Sequence, residues 1–342
     1  MRKHWHVERG AFQAKGTRWK KHDAHSTNQL WHGIGPSGEW LLKWYRYPEA
    51  GVHPEPEVAY FLRSQGYEYV PEFGARLDEQ REGSWVTRAF VQRWVTGTSA
   101  WDHTVKALSA GVVDVEYARD LGRCVGELHA VLATGAAGTP FSAVAWDASA
   151  QQRWIARLTG GIAQWIAALE GERPSSVPEE TWNQLRRDWV AGENGWKARV
   201  ERLAGLSFIG VQSRVHGDLH LGQALERQAD GERHFYFVDF EGEPTRPLAE
   251  RRLSDTPLRD AAGMWRSFAY AAALSGASDE AQNVLQEAFL AGWVRAAPAI
   301  GSNWRSCLDG LAWEKTIYEA LYELRHRPDW LWIPLRGLDA WR

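Results

Sequence analysis

The run Arg214-Val215-His216-Gly217-Asp218-Leu219-His220-Leu221-Gly222-Gln223, followed by Phe235-Tyr236-Phe237-Val238-Asp239-Phe240-Glu241-Gly242-Glu243-Pro244, decides how the rest of the chain is read. The first run sets a carboxylate, Asp218, a few residues before an amide, Gln223. The second alternates aromatic and β-branched residues, the pattern of a strand, and ends on another carboxylate, Asp239. His-Gly-Asp alone often makes only a turn or a cap. The amide and the strand leading into Asp239 supply the context that a lone motif lacks.

Acid, amide and strand-ending acid, in that order, are the parts that phosphoryl transfer uses. A loose transition state asks the protein for a base near the attacking hydroxyl, ligands for Mg²⁺ and positive charge on the phosphates. Asp218 fits the base. Gln223 and Asp239 offer the hard oxygen atoms that Mg²⁺ prefers.

The whole chain excludes several other classes. Its 342 residues suffice for two lobes around a cleft, and 44% hydrophobic with 24% charged residues describe an ordinary folded protein. A net charge of −3 with dispersed Lys and Arg provides no basic face for a nucleic acid. The N-terminus lacks the apolar centre of a signal peptide and no apolar run reaches membrane-spanning length, so a cytoplasmic location and no membrane partner are expected. The two cysteines, Cys124 and Cys307, lie far apart without metal-ligand spacing and read as buried thiols.

Upstream, 26–34 and 39–45 read as two strands around the turn Gly35-Pro36-Ser37-Gly38. Lys43 sits inside the second, otherwise apolar strand. Such a lysine reaches the α/β-phosphates of ATP when a helix glutamate holds it, and Glu57 is the candidate holder. No Gly-x-Gly-x-x-Gly precedes Lys43, so Ser26, Thr27 and Asn28 are the candidates to cover the phosphates. A further strand over 83–95 leads to the loose Thr96-Gly97-Thr98-Ser99. This places a lobe boundary between 95 and 96, with a nucleotide-binding part over 1–95, a catalytic and acceptor-binding part over 96–342, and the backbone of Val91 to Trp94, Gln92 among them, facing the adenine.

Beyond the boundary the periodicity is helical. Val115, Ala118, Leu121, Val125, Leu128 and Leu132 mark one buried face, beside which His129 reads as a hydrogen-bonded core histidine. Further amphipathic stretches cover about 150–170, 180–204, 259–275 and 279–295. Near the end, Glu314, Tyr318 and Tyr322 line one helix stripe at four-residue steps, a surface of carboxylate and phenols suited to sugar hydroxyls or an amine.

His216 to Gln223, Val238 to Pro244, Arg246 to Arg252, Leu258 to Met264 and Tyr318 to Pro334 together resemble bacterial maltokinases and the related actinobacterial glucosamine kinases, in the aminoglycoside-phosphotransferase-like branch of the protein-kinase-like fold. The resemblance implies an α+β bilobal fold with a small β-rich N-lobe and a larger helical C-lobe. It also implies ATP and Mg²⁺, with Asp218 as base, Gln223 and Asp239 on the metal, Lys43 and Glu57 on the phosphates, and His220, Glu241, Glu314, Tyr318 and Tyr322 toward the acceptor. About twenty-five residues precede Ser26, too few for the N-terminal cap subdomain of maltokinases by ordinary domain sizes, so that cap is expected to be missing.

The activity expected from the sequence is phosphorylation of a sugar hydroxyl, maltose first, with an aminosugar or aminoglycoside kinase as the alternative. A nucleotide-binding pseudokinase is the reading from another class, and the intact Lys43, Asp218, Gln223 and Asp239 speak against it. The expected partner is the small-molecule acceptor, bound by a monomer or weak homodimer.

Overall fold

The computed structural model describes residues 5–339, except 23–27, 192, 208 and 230. Strands β1 (Trp5–Arg9), β2 (Arg18–His22), β3 (Gln29–Gly35) and β4 (Gly38–Trp44) are followed by helix α1 (Pro54–Ser64) and strands β5 (Phe73–Arg81) and β6 (Ser84–Arg93). The six strands form one antiparallel sheet in the order β1-β5-β6-β4-β3-β2. Gly35 pairs with Gly38, so the β3–β4 turn is Pro36-Ser37, tighter than the four-residue turn predicted. Gly38 takes φ +107, a conformation that glycine enters without a Cβ penalty.

The chain then becomes helical. It runs through α2 (Ala100–Ser109), α3 (Val115–Leu132), the short strand β7 (Val144–Ala145), α4 (Ala148–Glu170), α5 (Glu179–Arg186), α6 (Glu193–Ala204) and the short strand β8 (Val211–Gln212). A hairpin of β9 (Ala224–Ala229) and β10 (Glu232–Phe237) precedes α7 (Leu248–Arg251), α8 (Leu258–Ser275), α9 (Asp279–Ala296), α10 (Trp304–His326) and α11 (Trp332–Asp339). A β-sheet lobe and a helical lobe result. Among the described residues no helix is long and apolar enough to cross a membrane.

Periodicity locates α3 to the residue: Asp114 caps it by accepting from Tyr117 N at 3.0 Å, and Leu121, Val125 and Leu128 are fully buried. Its partner is α9. The two approach so closely that a Cβ on Gly122 would lie 1.9 Å from the Phe289 carbonyl oxygen. The stretch predicted over 180–204 is interrupted by a π turn at Arg187–Ala191. Periodicity misses it because Trp182 and Leu185 before the break, Trp189 within it and Val200 and Leu203 after it are all buried.

What positions the site is a bracket at the start of α8. The Asp260 carboxylate accepts from His216 N at 2.7 Å and Gly217 N at 2.9 Å. It also faces His129 Nε2 at 3.0 Å, while Trp293 Nε1 donates to His129 Nδ1 at 2.9 Å. That donation leaves the His129 proton on Nε2, directed at Asp260. Although burial opposes its charge, these donors hold Asp260 below the usual carboxylate range. His129 is thus a core histidine whose work is to brace the turn before Asp218.

Candidate active site

Between the lobes lies a cleft of about 510 Å³, walled by Leu30, Leu41 and Val95 from one side and by Gln223, Val238 and Asp239 from the other. Lys43 enters it from β4. Its ammonium lies 2.5 Å from Glu55 Oε1, 2.5 Å from Asp239 Oδ1 and 3.5 Å from Glu241 Oε1. Burial opposes the charge on Lys43, but Asp239, Glu55 and Glu241 outweigh it and hold the ammonium well above its ordinary value. Lys43 in turn holds Asp239 down to about 2 against burial. Burial, with help from Asp239 and Glu55, pushes Glu241 up to about 8 although Lys43 pulls the other way.

The helix glutamate facing Lys43 is Glu55, not the predicted Glu57. Glu55 is anchored by Tyr45 Oη at 2.8 Å and is 1% exposed. Glu57 turns toward the helical lobe and accepts from Arg214 Nη2 at 2.9 Å and Arg252 Nη2 at 2.6 Å. Residues two apart on a helix point in directions about 200° apart, so α1 can present only one of them to the cleft.

Asp239 follows β10 in the left-handed region, at φ +70. Few non-glycine residues are found there, and one that is needs support. Support comes from Val238 N bonding to Gln223 O at 3.0 Å and from His216 Nε2 at 2.9 Å from Val238 O. Gln223 Nε2 lies 3.1 Å from Asp239 Oδ2. Among the described residues Glu55, Asp239 and Glu241 place one oxygen each within 4.8 Å of one another. An all-oxygen set of this size fits Mg²⁺ chemistry. Both oxygens of Glu55 are engaged by Lys43 and Tyr45, and Asp239 holds Lys43 on one oxygen and the Gln223 amide on the other, so a metal between Asp239 and Glu241 would replace the Gln223 amide hydrogen bond.

Asp218 lies at the edge of this cleft. Lys315 Nζ on α10 is 3.1 Å from Asp218 Oδ1 and 3.1 Å from Glu243 Oε1, and 4.7 Å from the Tyr318 ring centroid. Beyond Lys315 a second pocket of about 500 Å³ opens between α4 and α10, and Glu314, Tyr318 and Tyr322 all line it. The Tyr318 and Tyr322 rings stack at 6.4 Å. The Glu314 carboxylate is partly engaged, 3.2 Å from Arg259 Nη1 and 3.7 Å from Arg157 Nε.

Other predicted positions fall elsewhere. Gln92 lines the cleft, but Val91 is interior to the sheet, in register with Leu42 on one side and Ala75 on the other. Its backbone belongs to the ladder, and the cleft wall at the end of β6 is Arg93, Trp94 and Val95. His220 lies in neither pocket wall; its Nδ1 accepts from Gly222 N at 3.1 Å and its Nε2 faces Gln223 Nε2 at 3.2 Å. Glu241 belongs to the Lys43 cluster, where Asn28 Nδ2 donates to it at 2.8 Å. Ser26 and Thr27 lie outside the described residues.

The Phosphotransferase enzyme family matches residues 19–299 of this chain. The chain belongs to that family. A glucosamine kinase of Mycolicibacterium smegmatis is 26% identical over 326 residues, 88% of this chain and 74% of its own length. One of Streptacidiphilus jiangxiensis is 26% identical over 334 residues, 86% of this chain and 67% of its own length. Among solved structures, a glucosamine kinase in complex with glucosamine, ADP and inorganic phosphate superposes with a TM-score of 0.74 at 20% identity, covering 98% of this chain and 79% of that one. The fold of this phosphotransferase is therefore the bilobal, kinase-like one.

Three residues of the candidate site are not among those the sequence singles out. Glu55 was passed over for its neighbour, although its place directly after Pro54, in the first turn of α1, was visible. Lys315 and Glu243 carried no signal beyond ordinary helix and loop charges, because the contact between them spans 72 residues and that of Lys315 with Asp218 spans 97. Burial opposes both charges, yet Lys315, Arg246 and Arg259 hold Glu243 down to about 2, and Asp218 and Glu243 hold Lys315 above its ordinary value.

Proposed function

We propose that this chain is an ATP- and Mg²⁺-dependent kinase of a small aminosugar, with glucosamine as the first acceptor to test. The observation that carries the reading is the place of Asp218. It borders the cleft that holds Lys43 and Asp239, and through Lys315 it adjoins the pocket of Glu314, Tyr318 and Tyr322. A base at that junction serves a donor on one side and an acceptor hydroxyl on the other. The relatives described above are glucosamine kinases rather than maltokinases, so the aminosugar replaces maltose, which the sequence put first.

In this reading Asp218 orients the acceptor hydroxyl and receives its proton. Lys43, held by Glu55, contacts the nucleotide phosphates, and Asp239, Gln223 and Glu241 are the oxygen donors for the metal. Mg²⁺ bound there would neutralise charge on the phosphates. A half-turn of the Gln223 amide exchanges Nε2 for Oε1 toward the metal. The nucleotide-binding part then spans 1–95 and the catalytic, acceptor-binding part 96–342.

The test is acceptor-dependent ADP release with Mg²⁺ and ATP across glucosamine, glucose, maltose and an aminoglycoside. Release with glucosamine at a kcat/KM at least tenfold above maltose is expected. Equal or better turnover of maltose rejects the aminosugar assignment, and no release with any acceptor rejects the kinase.

A further inference from the structure

Gln92 stands one residue before the end of β6, and its backbone is committed to the ladder, in register with Leu41 of β4 and Phe73 of β5. What it can offer the cleft is its side chain. Directly paired residues share a sheet face, as do residues two apart on one strand, so Gln92, Leu41 and Lys43 project from the same side. The next residue, Arg93, takes the opposite side, where its guanidinium lies 4.0 Å from the Trp40 ring centroid.

Gln92 lines the cleft and is 4% exposed. A carboxamide has two N–H donors and a carbonyl acceptor to satisfy, yet among the described residues no protein group bonds to this one. Comparably buried glutamines elsewhere are met: Gln212 Nε2 donates to Ala145 O at 3.3 Å and Gln286 Nε2 to Trp265 O at 2.8 Å. Nor is the Gln92 amide sealed into the core. The fully enclosed polar atoms without partners belong to other residues, so the surface that this amide retains opens on the cleft. Buried polar groups are nearly always satisfied, and an open, unpartnered amide in a cleft is a group held ready for a ligand.

Its surroundings say which ligand. Leu30 and Leu41 from the sheet lobe and Leu225 and Val238 from the helical lobe line the same cleft, apolar walls that suit the two faces of an aromatic ring. Lys43, paired with Phe90, is two residues along the sheet from the Leu41–Gln92 pair, about 7 Å at the rise of a strand. A nucleotide whose phosphates meet Lys43 can therefore carry its base to Gln92. Adenine presents a 6-amino donor beside the N7 acceptor, and a carboxamide matches both at once, oxygen to the amine and nitrogen to N7. Guanine and hypoxanthine present two acceptors there, O6 and N7. The carboxamide satisfies one of them and turns its own oxygen lone pairs on the other.

We propose that the Gln92 amide reads the 6-amino and N7 positions of adenine, so that this chain selects adenine nucleotides and turns away 6-oxo purines. The inference rests on the kinase reading for the cleft as the nucleotide site, but base choice is measured by binding alone, without an acceptor.

The probes are ADP, IDP and 7-deaza-ADP, each titrated with Mg²⁺ by calorimetry into wild type and Gln92→Met, an unbranched replacement of similar length. IDP replaces the 6-amino group by oxygen, and 7-deaza-ADP replaces N7 by C–H. Wild type should bind ADP about tenfold more tightly than either analogue, the loss of one hydrogen bond with its partner left buried. Gln92→Met should weaken ADP about tenfold and bring all three ligands within about threefold of one another. Equal affinities of wild type for ADP and both analogues overturn the proposal, and that comparison needs no variant to fold. A Gln92→Met protein that weakens all three ligands alike while keeping the preference for ADP shows a merely structural residue and also overturns it.

The two readings fail separately. Nucleotide binding without base preference removes the role of Gln92 and leaves the kinase standing. A preference that collapses in Gln92→Met, with no ADP release from ATP for any acceptor, removes the kinase and leaves base reading in place. Binding of none of the three nucleotides removes both.

Discussion

Glu55→Gln and Glu57→Gln, two changes on one turn of α1, should separate nucleotide handling from lobe cohesion. Glu55 lies 2.5 Å from Lys43 with side-chain exposures of 1% and 7%. A hydrogen bond to a charged group is worth about 1.5–3 kcal/mol. Lys43 keeps Asp239 at 2.5 Å and Tyr45 can still bond to a glutamine, so the fold is largely retained. What is lost is the fixed position of Lys43, which Asp239 then draws toward itself. At about 1.4 kcal/mol per tenfold, kcat/KM for ATP should fall about 10- to 100-fold, with the melting temperature nearly unchanged. Glu57→Gln acts differently, because it removes the one carboxylate that pairs with Arg214 among the described residues, and the Arg214 side chain is 1% exposed. Breaking a buried pair costs about 3–5 kcal/mol. The 16% exposure of Glu57 and the Arg252 carbonyl that Arg214 retains at 2.8 Å reduce this to about 2–3 kcal/mol. For a chain of this size that lowers the melting temperature by about 3–5 °C, with kcat/KM for ATP within about threefold of wild type. Steady-state kinetics at varied ATP and a calorimetric melt measure both variants. If Glu57→Gln is the one that damages ATP usage while Glu55→Gln is silent, the assignment of the lysine partner is refuted.

Asp218→Asn should lower kcat by about 10²–10⁴-fold while nucleotide affinity, measured by calorimetric titration of ADP with Mg²⁺, stays near wild type; a kcat within threefold would rule Asp218 out as base. Glu243 sits at about 2 in the fold against an ordinary 4.5, so its contribution to stability is complete above pH 4.5 and is lost as the pH falls toward 2. It amounts to at most about 3 kcal/mol. Glu243→Gln should therefore flatten the denaturation profile over that window, and an unchanged slope would contradict the Lys315 and Arg246 pairing. Cys124 and Cys307 are buried, and burial pushes the first thiol up to about 12 and raises the second as well. Neither should react with a thiol reagent at pH 8 until the protein unfolds, and a rapid native titre of one thiol would show that a helix opens locally.

Much of the architecture was legible because it is written in local periods. The apolar spacing from Val115 to Leu132 identifies α3, and the alternation from Phe235 to Val238 identifies the strand that delivers Asp239. Strand and helix ends were less certain, and the π turn within 180–204 left no trace, since the apolar positions keep facing inward across it. Lys43, Asp218, Gln223 and Asp239 were singled out by their order and residue types, and the fold brings all four to one cleft. Val91 was misplaced because position after a strand does not say whether its backbone is already committed to the ladder.

What the sequence determined by itself about the run from Arg214 to Pro244 is the chemistry on offer: a carboxylate, an amide and a second carboxylate carried on a tight turn and a strand. That follows from residue type and short-range spacing, to which local sterics respond directly. The tertiary structure decided everything that depends on distant partners. It chose Glu55 over Glu57 through the rotation of α1, brought Lys315 from 97 residues away to Asp218, and set Arg157 of α4 beside Arg259 of α8 against Asp255. Contacts of that range are set by how helices pack, and helix packing is selected by the whole core rather than by any stretch of the chain.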